Sequence, residues 1–581
     1  MTDAALSAST PRPRVSAKLF FADPRFARIL LLLLVAGLVL GPVIVLVRAS
    51  LAPAGMLPFE TSTITLDNFR QIFASPDTLQ LLWTTLLYAA ASVVLGVGLA
   101  IAIAWMTERT DMPGVAFIRV FMFSWMAIPP FVIGFGWILL INPGNGALNV
   151  LLRNLFGLDR PPLTIYSFWS LVIITAFSVI PTAYVMFGGL FRNLDPQLEN
   201  AGRVLGGDGF TVARKITLPL LTPGIVSVGI FMTMIVIQAF ELPFIVGLSA
   251  QIRVLSTRVY LLAAPITGLP NYGLSSAFGV FLLLLAGLLM LLYFRMVGAG
   301  DRFRVVTGRG FRPKRIRLGA WRLPVAGLMF FLFVIMALPV AMLVWTSLFP
   351  SYRLPSLSAL GDMSFANYAR ALGTPFVRQA VVNTILLVVA SATGVMLLAS
   401  LIAWFSVRDG GKTGRLLDML SFAPTAIPPI IMVISILLVY MRTPLYGTIW
   451  ILIVASVTVH LAFATRTMTS ALIQLHKELA DAALVCGASW WTTLQKIILP
   501  LVRPQLLNGW LFVAAHTSRD LTVALVLMTS SNVVLSTAIW MMWDFPDLAG
   551  AAAMAMLLVA GLLVLVLPVQ IMAARDARRQ D

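Results

Sequence analysis

Few side chains in this 581-residue sequence could do chemistry on a substrate. There is one cysteine, Cys486, and there are three histidines, His460, His476 and His516. A single thiol excludes a disulfide scaffold and any multi-cysteine zinc or iron-sulfur site, and three scattered histidines do not build a histidine-rich metal centre. The run Gly410-Gly411-Lys412-Thr413 ends like a phosphate-cradling loop, but Ser406 stands where such a loop has its leading glycine. No HExxH motif, Gly-x-Ser-x-Gly elbow or dinucleotide-binding glycine pattern occurs in the context it needs. The sequence therefore predicts no catalytic centre, no resident metal and no cofactor held by this chain.

The remaining candidates are ionisable residues inside apolar stretches: Glu241, and Arg519 with Asp520. A charge at mid-membrane costs about 2.5 to 3.5 kcal/mol on insertion scales, so such residues ordinarily face a pathway or a partner. Neighbours on a helix point about 100° apart, so Arg519 and Asp520 are not expected to meet the same partner. The reading is that Glu241 and Asp520 face a passage while Arg519 pairs with one of them. A buried ion pair, or side chains snorkelling toward the outer ends of their helices, fits the same residues. His516 and Gln238 lie close by in sequence, and His460 reads as a packed side chain.

These charges interrupt a chain that is 59% hydrophobic and only 11% charged, with mean hydropathy +0.94. A soluble domain is about half apolar and about one quarter charged. Twelve stretches are long enough to cross a bilayer, near 29-47, 81-106, 115-141, 166-191, 221-248, 274-297, 323-346, 380-405, 418-440, 447-470, 505-528 and 549-572. They lack period-two alternation, so the fold class is all-α and polytopic rather than a barrel. The formal charge of +18 resides in short basic runs between the stretches, which argues against nucleic acid. With a cytoplasmic amino terminus, 30 Lys and Arg fall on the inside, 10 on the outside, and Arg519 within a span. That asymmetry places both termini in the cytoplasm. The first stretch, bounded by Arg28 and Arg48, is too long for a signal-peptide core and is expected to be retained.

The sequence also matches itself. Asn68-Phe69 aligns with Asn367-Tyr368, Ala104-Trp105 with Ala403-Trp404, Arg109 with Arg408, and Ile128-Pro129-Pro130 with Ile427-Pro428-Pro429, all at an offset of 299. Residues 200–223 align with 481–504 at an offset of 281. Six spans in each half make the repeat parallel, with a pseudo-twofold axis along the membrane normal. The boundaries follow: a tail at 1–28, a first half at 29–297, a basic linker at 298–322, a second half at 323–572 and a tail at 573–581. The paired prolines are expected to kink spans three and nine.

Between spans four and five, and again between ten and eleven, lies a moderately polar stretch on the inner side. NAGRVLGGDGFTVARKITLP, residues 200–219, and DAALVCGASWWTTLQKIILP, residues 481–500, agree at eight of twenty positions without a gap. Small residues, Ala201 and Gly202 or Ala482 and Ala483, open a short helix that another protein can approach closely. Gly206 and Gly487 then permit a turn that a residue with a Cβ resists. Leu218-Pro219 and Leu499-Pro500 mark re-entry into the membrane, giving an L-shaped projection. Trp490 and Trp491 are unusual in such a loop and read as interface anchors. Without a partner, the segment would be an amphipathic hairpin on the inner leaflet.

This pattern resembles the EAA loop of ABC importer permeases. Asp481, Ala482, Ala483, Gly487, Ile497, Leu499 and Pro500 fit it, as do Ala201, Gly206, Ile216, Leu218 and Pro219, whereas Asn200 and Gly202 depart from it. The resemblance implies that these loops seat on two copies of a separate ABC ATPase subunit, which would carry ATP and magnesium. It also implies a solute-binding protein on the outer face. The fused arrangement and the run Arg519-Asp520-Leu521 look most like ferric iron importer permeases, with thiamine, polyamine and phosphonate systems as close rivals. A secondary transporter of the six-plus-six type is the alternative class, and it would not need matched loops.

Overall fold

A computed structural model describes residues 24–580 except 54, 193–196, 198–200, 203, 266, 301–315 and 410. Most of the amino-terminal tail, Asn200 and the centre of the linker therefore lie outside the described residues. The described chain is helical, and a lone bridge between Thr110 and Ile316 is its only β-type pairing. Helices satisfy their backbone groups internally, which is what a hydrocarbon environment demands of these apolar runs.

Among the described residues nine helices are long and apolar enough to cross a membrane, and three further pairs are bent at a short break. Two of the breaks fall at the paired prolines. Val115–Ala127 meets Pro130–Ile141 at 101°, and Lys412–Ala426 meets Pro429–Tyr440 at 109°. The prolines thus do more than kink these spans. Pro129 and Pro428 are extended, with ψ of 137° and 133°, so each helix ends and a new one starts almost at a right angle.

The duplication is structural down to single hydrogen bonds. Asn68 donates its side-chain amide to the carbonyls of Ser50 and Ala52, and Asn367 does the same to Ser347 and Phe349. Leu255 N–H donates to Thr85 Oγ1 at 3.0 Å, and Leu535 N–H to Thr384 Oγ1 at 2.7 Å. The halves interlock through their first helices: Pro24–Ser50 packs on Pro429–Tyr440, and Arg322–Ser347 packs on Pro130–Ile141. That second crossing is so close that a Cβ on Gly136 would strike the backbone of Pro339. One buried apolar core runs through both halves, from Leu46 and Tyr88 to Ile430, Ile539 and Met554.

The described end of the linker is pinned. Ile316 N–H donates to the Arg109 carbonyl at 2.8 Å, and the Asp111 carboxylate accepts the Leu318 N–H at 2.9 Å. Residues 316–318 therefore tie the second half to the loop after the second span of the first.

Candidate functional site

The two loops fold as copies of one elbow. Gly206 and Gly487 have φ of 85° and 82°, the left-handed region that a Cβ disfavours by about 1 to 2 kcal/mol. Around them the bonds repeat: Leu205 N–H to Ala201 and Gly207 N–H to Gly202 in one, Cys486 N–H to Ala482 and Ala488 N–H to Ala483 in the other. A polar cap then starts the next turn. The Asp208 carboxylate accepts the Thr211 N–H, and the Ser489 hydroxyl accepts the Thr492 N–H, both at 3.2 Å. Each elbow continues through one π-turn, Ala213–Thr217 and Leu494–Ile498, before its membrane helix. In the second half that transition bends by 80°, the L shape expected from the sequence of both copies, whereas in the first Arg214–Gln238 runs on as one helix.

Exposure separates the residues that face outward from those that hold the elbow together. Ala201, Asp481 and Ala482 are exposed. Gly202 and Ala483 are buried, and a Cβ on Gly202 would strike Ile216, so these small residues permit the elbow's own packing rather than a partner's approach. Trp490 corrects the sequence reading more sharply. It is 7% exposed and packs at a tilt against Phe405, ring centroids 5.2 Å apart, inside the second apolar cluster, so it anchors the elbow to its own bundle. Trp491 is partly exposed beside it. The matched outward-facing apolar residues are ones the sequence reading passed over: Val204, 87% exposed, and Val485, 88% exposed. Their signal was available, since both copies carry valine there.

The second region is a junction of broken helices deep in the bundle. Leu218–Gln238 stops at an extended Ala239, and Arg503–Arg519 stops at an extended Asp520, ψ 110°. Spans five and eleven are therefore not continuous helices over 221–248 and 505–528. Arg519 is the last residue of one helix and Asp520 the N-cap of the next, so the argument from 100° spacing fails at this pair. The Asp520 carboxylate accepts the Val523 N–H of its own new helix at 3.0 Å. Glu241 instead serves two others, accepting the Phe131 N–H at 3.3 Å and the Leu521 N–H at 3.0 Å.

Arg519 departs from the expected pairing with a carboxylate. Its guanidinium donates to the Met126 carbonyl in the other half and lies 3.0 Å from His516 Nε2. A cation on the last carbonyls of a helix and a carboxylate on the first N–H groups each complement the macrodipole, and both ends of the 115–141 break are served this way. His460 bonds the Ser456 carbonyl of its own helix at 2.8 Å, as a packed residue would. Gln238 Nε2 is buried without a partner among the described residues. The Gly-Gly-Lys-Thr run supplies no phosphate loop, because Gly411 simply caps the helix Lys412–Phe422 that follows another helix.

Residues 395–579 match the family model described as the binding-protein-dependent transport system inner membrane component. Over that stretch the chain matches the membrane component of binding-protein-dependent importers. The permease is 25% identical over 459 residues to the ferric transport system permease protein FbpB of Actinobacillus pleuropneumoniae, covering 77% of this chain and 64% of that one. It is 21% identical over 495 residues to the Fe(3+)-transport system permease protein FbpB 2 of Haemophilus influenzae, covering 84% and 89%. A solved bacterial ABC transporter that imports the acidic polysaccharide alginate aligns with 50% of the permease and 99% of its own chain, with 19% identity and a TM-score of 0.40. The family match and the nine to twelve candidate spans among the described residues make the permease a multi-pass inner-membrane protein.

Proposed function

We propose that this permease forms the whole membrane path of an ATP-driven importer, its two elbows seating on two copies of a separate ATPase subunit. The single observation that carries the reading is the congruence of the elbows. Two polar loops on one side of the bundle keep the same turn, a polar cap at the same position and the same exposed valine, although surface loops ordinarily drift. Ala201, Gly206 and Val204 in one, with Asp481, Ala482, Gly487 and Val485 in the other, form the seat. Nucleotide-driven closure of the ATPases would move the elbows as near-rigid bodies, and the bundle would open alternately to its two sides. Orientation by basic residues puts the elbows and both termini in the cytoplasm, and a solute-binding protein on the opposite face would deliver the cargo.

The junction of Glu241, Arg519 and Asp520 is where the helices of both halves break and meet, which fits a gate on that path. Ferric iron is the favoured cargo, because the relatives named above are ferric permeases; thiamine, polyamines and phosphonates are the rivals. Among the described residues no group of three or more His, Cys, Asp or Glu side chains converges, so the cargo is argued from relatives and not from a ligand set. The test is co-expression with the neighbouring ATPase and binding-protein genes. Recovery of an ATPase with the permease, and ATP-dependent uptake in liposomes, are expected. Full-rate uptake by the permease alone would refute the reading in favour of a secondary transporter.

A further inference from the structure

On the face opposite the elbows, a cavity of about 520 Å³ opens between the start of the helix Pro76–Arg109 and residues 251–258. Arg253 and Arg258 line it against a single carboxylate, Asp77. Among the described residues neither guanidinium makes a hydrogen bond or an ion pair with its own protein. Partial burial, and then the like charge of Arg253, lower the pKa of Arg258, a penalty that an incoming anion would relieve. Gln251, also in the lining, is the one non-glycine residue among those described with a left-handed backbone, φ 58°. Backbone strain of that kind collects at binding sites.

The second half shows that folding does not require this arrangement. The matched bonds of Leu255 to Thr85 and Leu535 to Thr384 set the register. Arg253 then corresponds to Val533, Arg258 to Ala538, Asp77 to Phe376 and Thr84 to Asn383. There Val533 and Ala538 close with Ala380 into a small buried apolar cluster, and Asn383 donates to the Val533 carbonyl at 2.8 Å. The same position is a sealed, neutral contact in one half and an open, doubly basic cavity in the other.

We propose that this cavity is a binding site for a phosphate or phosphate-ester group, clamped between Arg253 and Arg258. Two guanidinium forks match the oxygens of a tetrahedral anion, and two arginines against one carboxylate leave a net positive charge for it to neutralise. The volume exceeds a bare phosphate and leaves room for an ester substituent beside Gln71 and Gln80. Trp83 and Trp169, 67% and 62% exposed on two of the helices that contribute lining residues, mark the depth at which tryptophans line a membrane interface. At that depth the phosphate can come from an anionic lipid headgroup or from free solution.

The experiment uses the full-length permease. Inorganic phosphate is titrated calorimetrically into detergent-purified protein. In parallel, delipidated protein is placed in phosphatidylcholine nanodiscs with or without phosphatidylglycerol, and retained phosphatidylglycerol is counted by native mass spectrometry. Wild type is compared with R253Q/R258Q and with R253V/R258A, which installs the residues of the second half and so suits the local packing. R378Q, an exposed arginine near the same end of the second half, is the control. Binding of at least one probe should weaken about tenfold or more in both double variants and stay unchanged in R378Q. Loss confined to phosphatidylglycerol identifies a lipid site, and loss confined to phosphate identifies a soluble ligand. Equal binding by wild type and R253V/R258A, or an equal drop in R378Q, overturns the proposal.

Discussion

Glu241 and Leu521 belong to different halves of the chain, yet the Glu241 carboxylate accepts the Leu521 N–H at 3.0 Å and so caps the helix that begins there. With its other oxygen it accepts the Phe131 N–H, at the start of a helix in its own half. One carboxylate thus ties two helix breaks together across the repeat, and Arg519 returns the tie through the Met126 carbonyl.

Removing that carboxylate should unlock the junction. Glu241→Ala removes the side-chain acceptor of the Phe131 N–H and of the Leu521 N–H, leaving Asp520 as the one cap of the second helix and the one carboxylate beside Arg519, which costs about 2 kcal/mol or more. Glu241→Gln retains one acceptor oxygen and should cost about half of that. Thermal melts of the purified permease, with uptake in liposomes, check the order: both variants lose transport, and Ala is the less stable. Equal stability of Glu241→Ala and wild type would rule out the capping role.

Asp520→Asn separates charge from capping. Asparagine caps a helix about as well as aspartate, so stability should change by less than about 1 kcal/mol. If the charge serves the path, uptake falls steeply while ATPase co-purification is unchanged. Normal uptake would leave Asp520 as a cap alone.

The exposed valines give a direct test of the seat. Val204→Asp and Val485→Asp alter fully exposed side chains, so folding should change by about 0.5 kcal/mol or less. Each should nevertheless reduce ATPase recovery about tenfold, because a charge is driven into an apolar contact. Unchanged recovery from the double variant would move the seat elsewhere.

The two tryptophans should part company. Trp490→Ala removes a packed core side chain and should cost about 3 to 5 kcal/mol in unfolding experiments. Trp491→Ala should leave the melt nearly unchanged and act only on ATPase recovery. The opposite pattern would return Trp490 to the surface role that the sequence suggested.

Gly206→Val and Gly487→Val place a β-branched residue at φ of 85° and 82°. Each should cost about 1 to 2 kcal/mol locally and distort the elbow, with loss of ATPase binding at full membrane insertion. Proteolysis of the elbow in membrane vesicles reads the distortion.

The spans, the parallel duplication and the twin elbows were legible in the sequence because each rests on local or repeated information. Apolar length sets a span, a fixed offset sets a repeat, and glycine at matched positions sets a left-handed turn. Tertiary structure alone decided three things. It broke spans five and eleven at Ala239 and Asp520, because Glu241 and the Asp520 self-cap could satisfy N–H groups freed at the second break and the Ser256 hydroxyl could donate to the Ala239 carbonyl at the first. It turned Trp490 inward, because Phe405 lies across from it. It also joined Glu241 to backbone donors at Phe131 and Leu521, and every residue has such donors, so no residue type announces them. Side-chain identity carries the pattern along the chain, whereas the partners of a buried charge are chosen by whichever backbone ends the fold brings within reach.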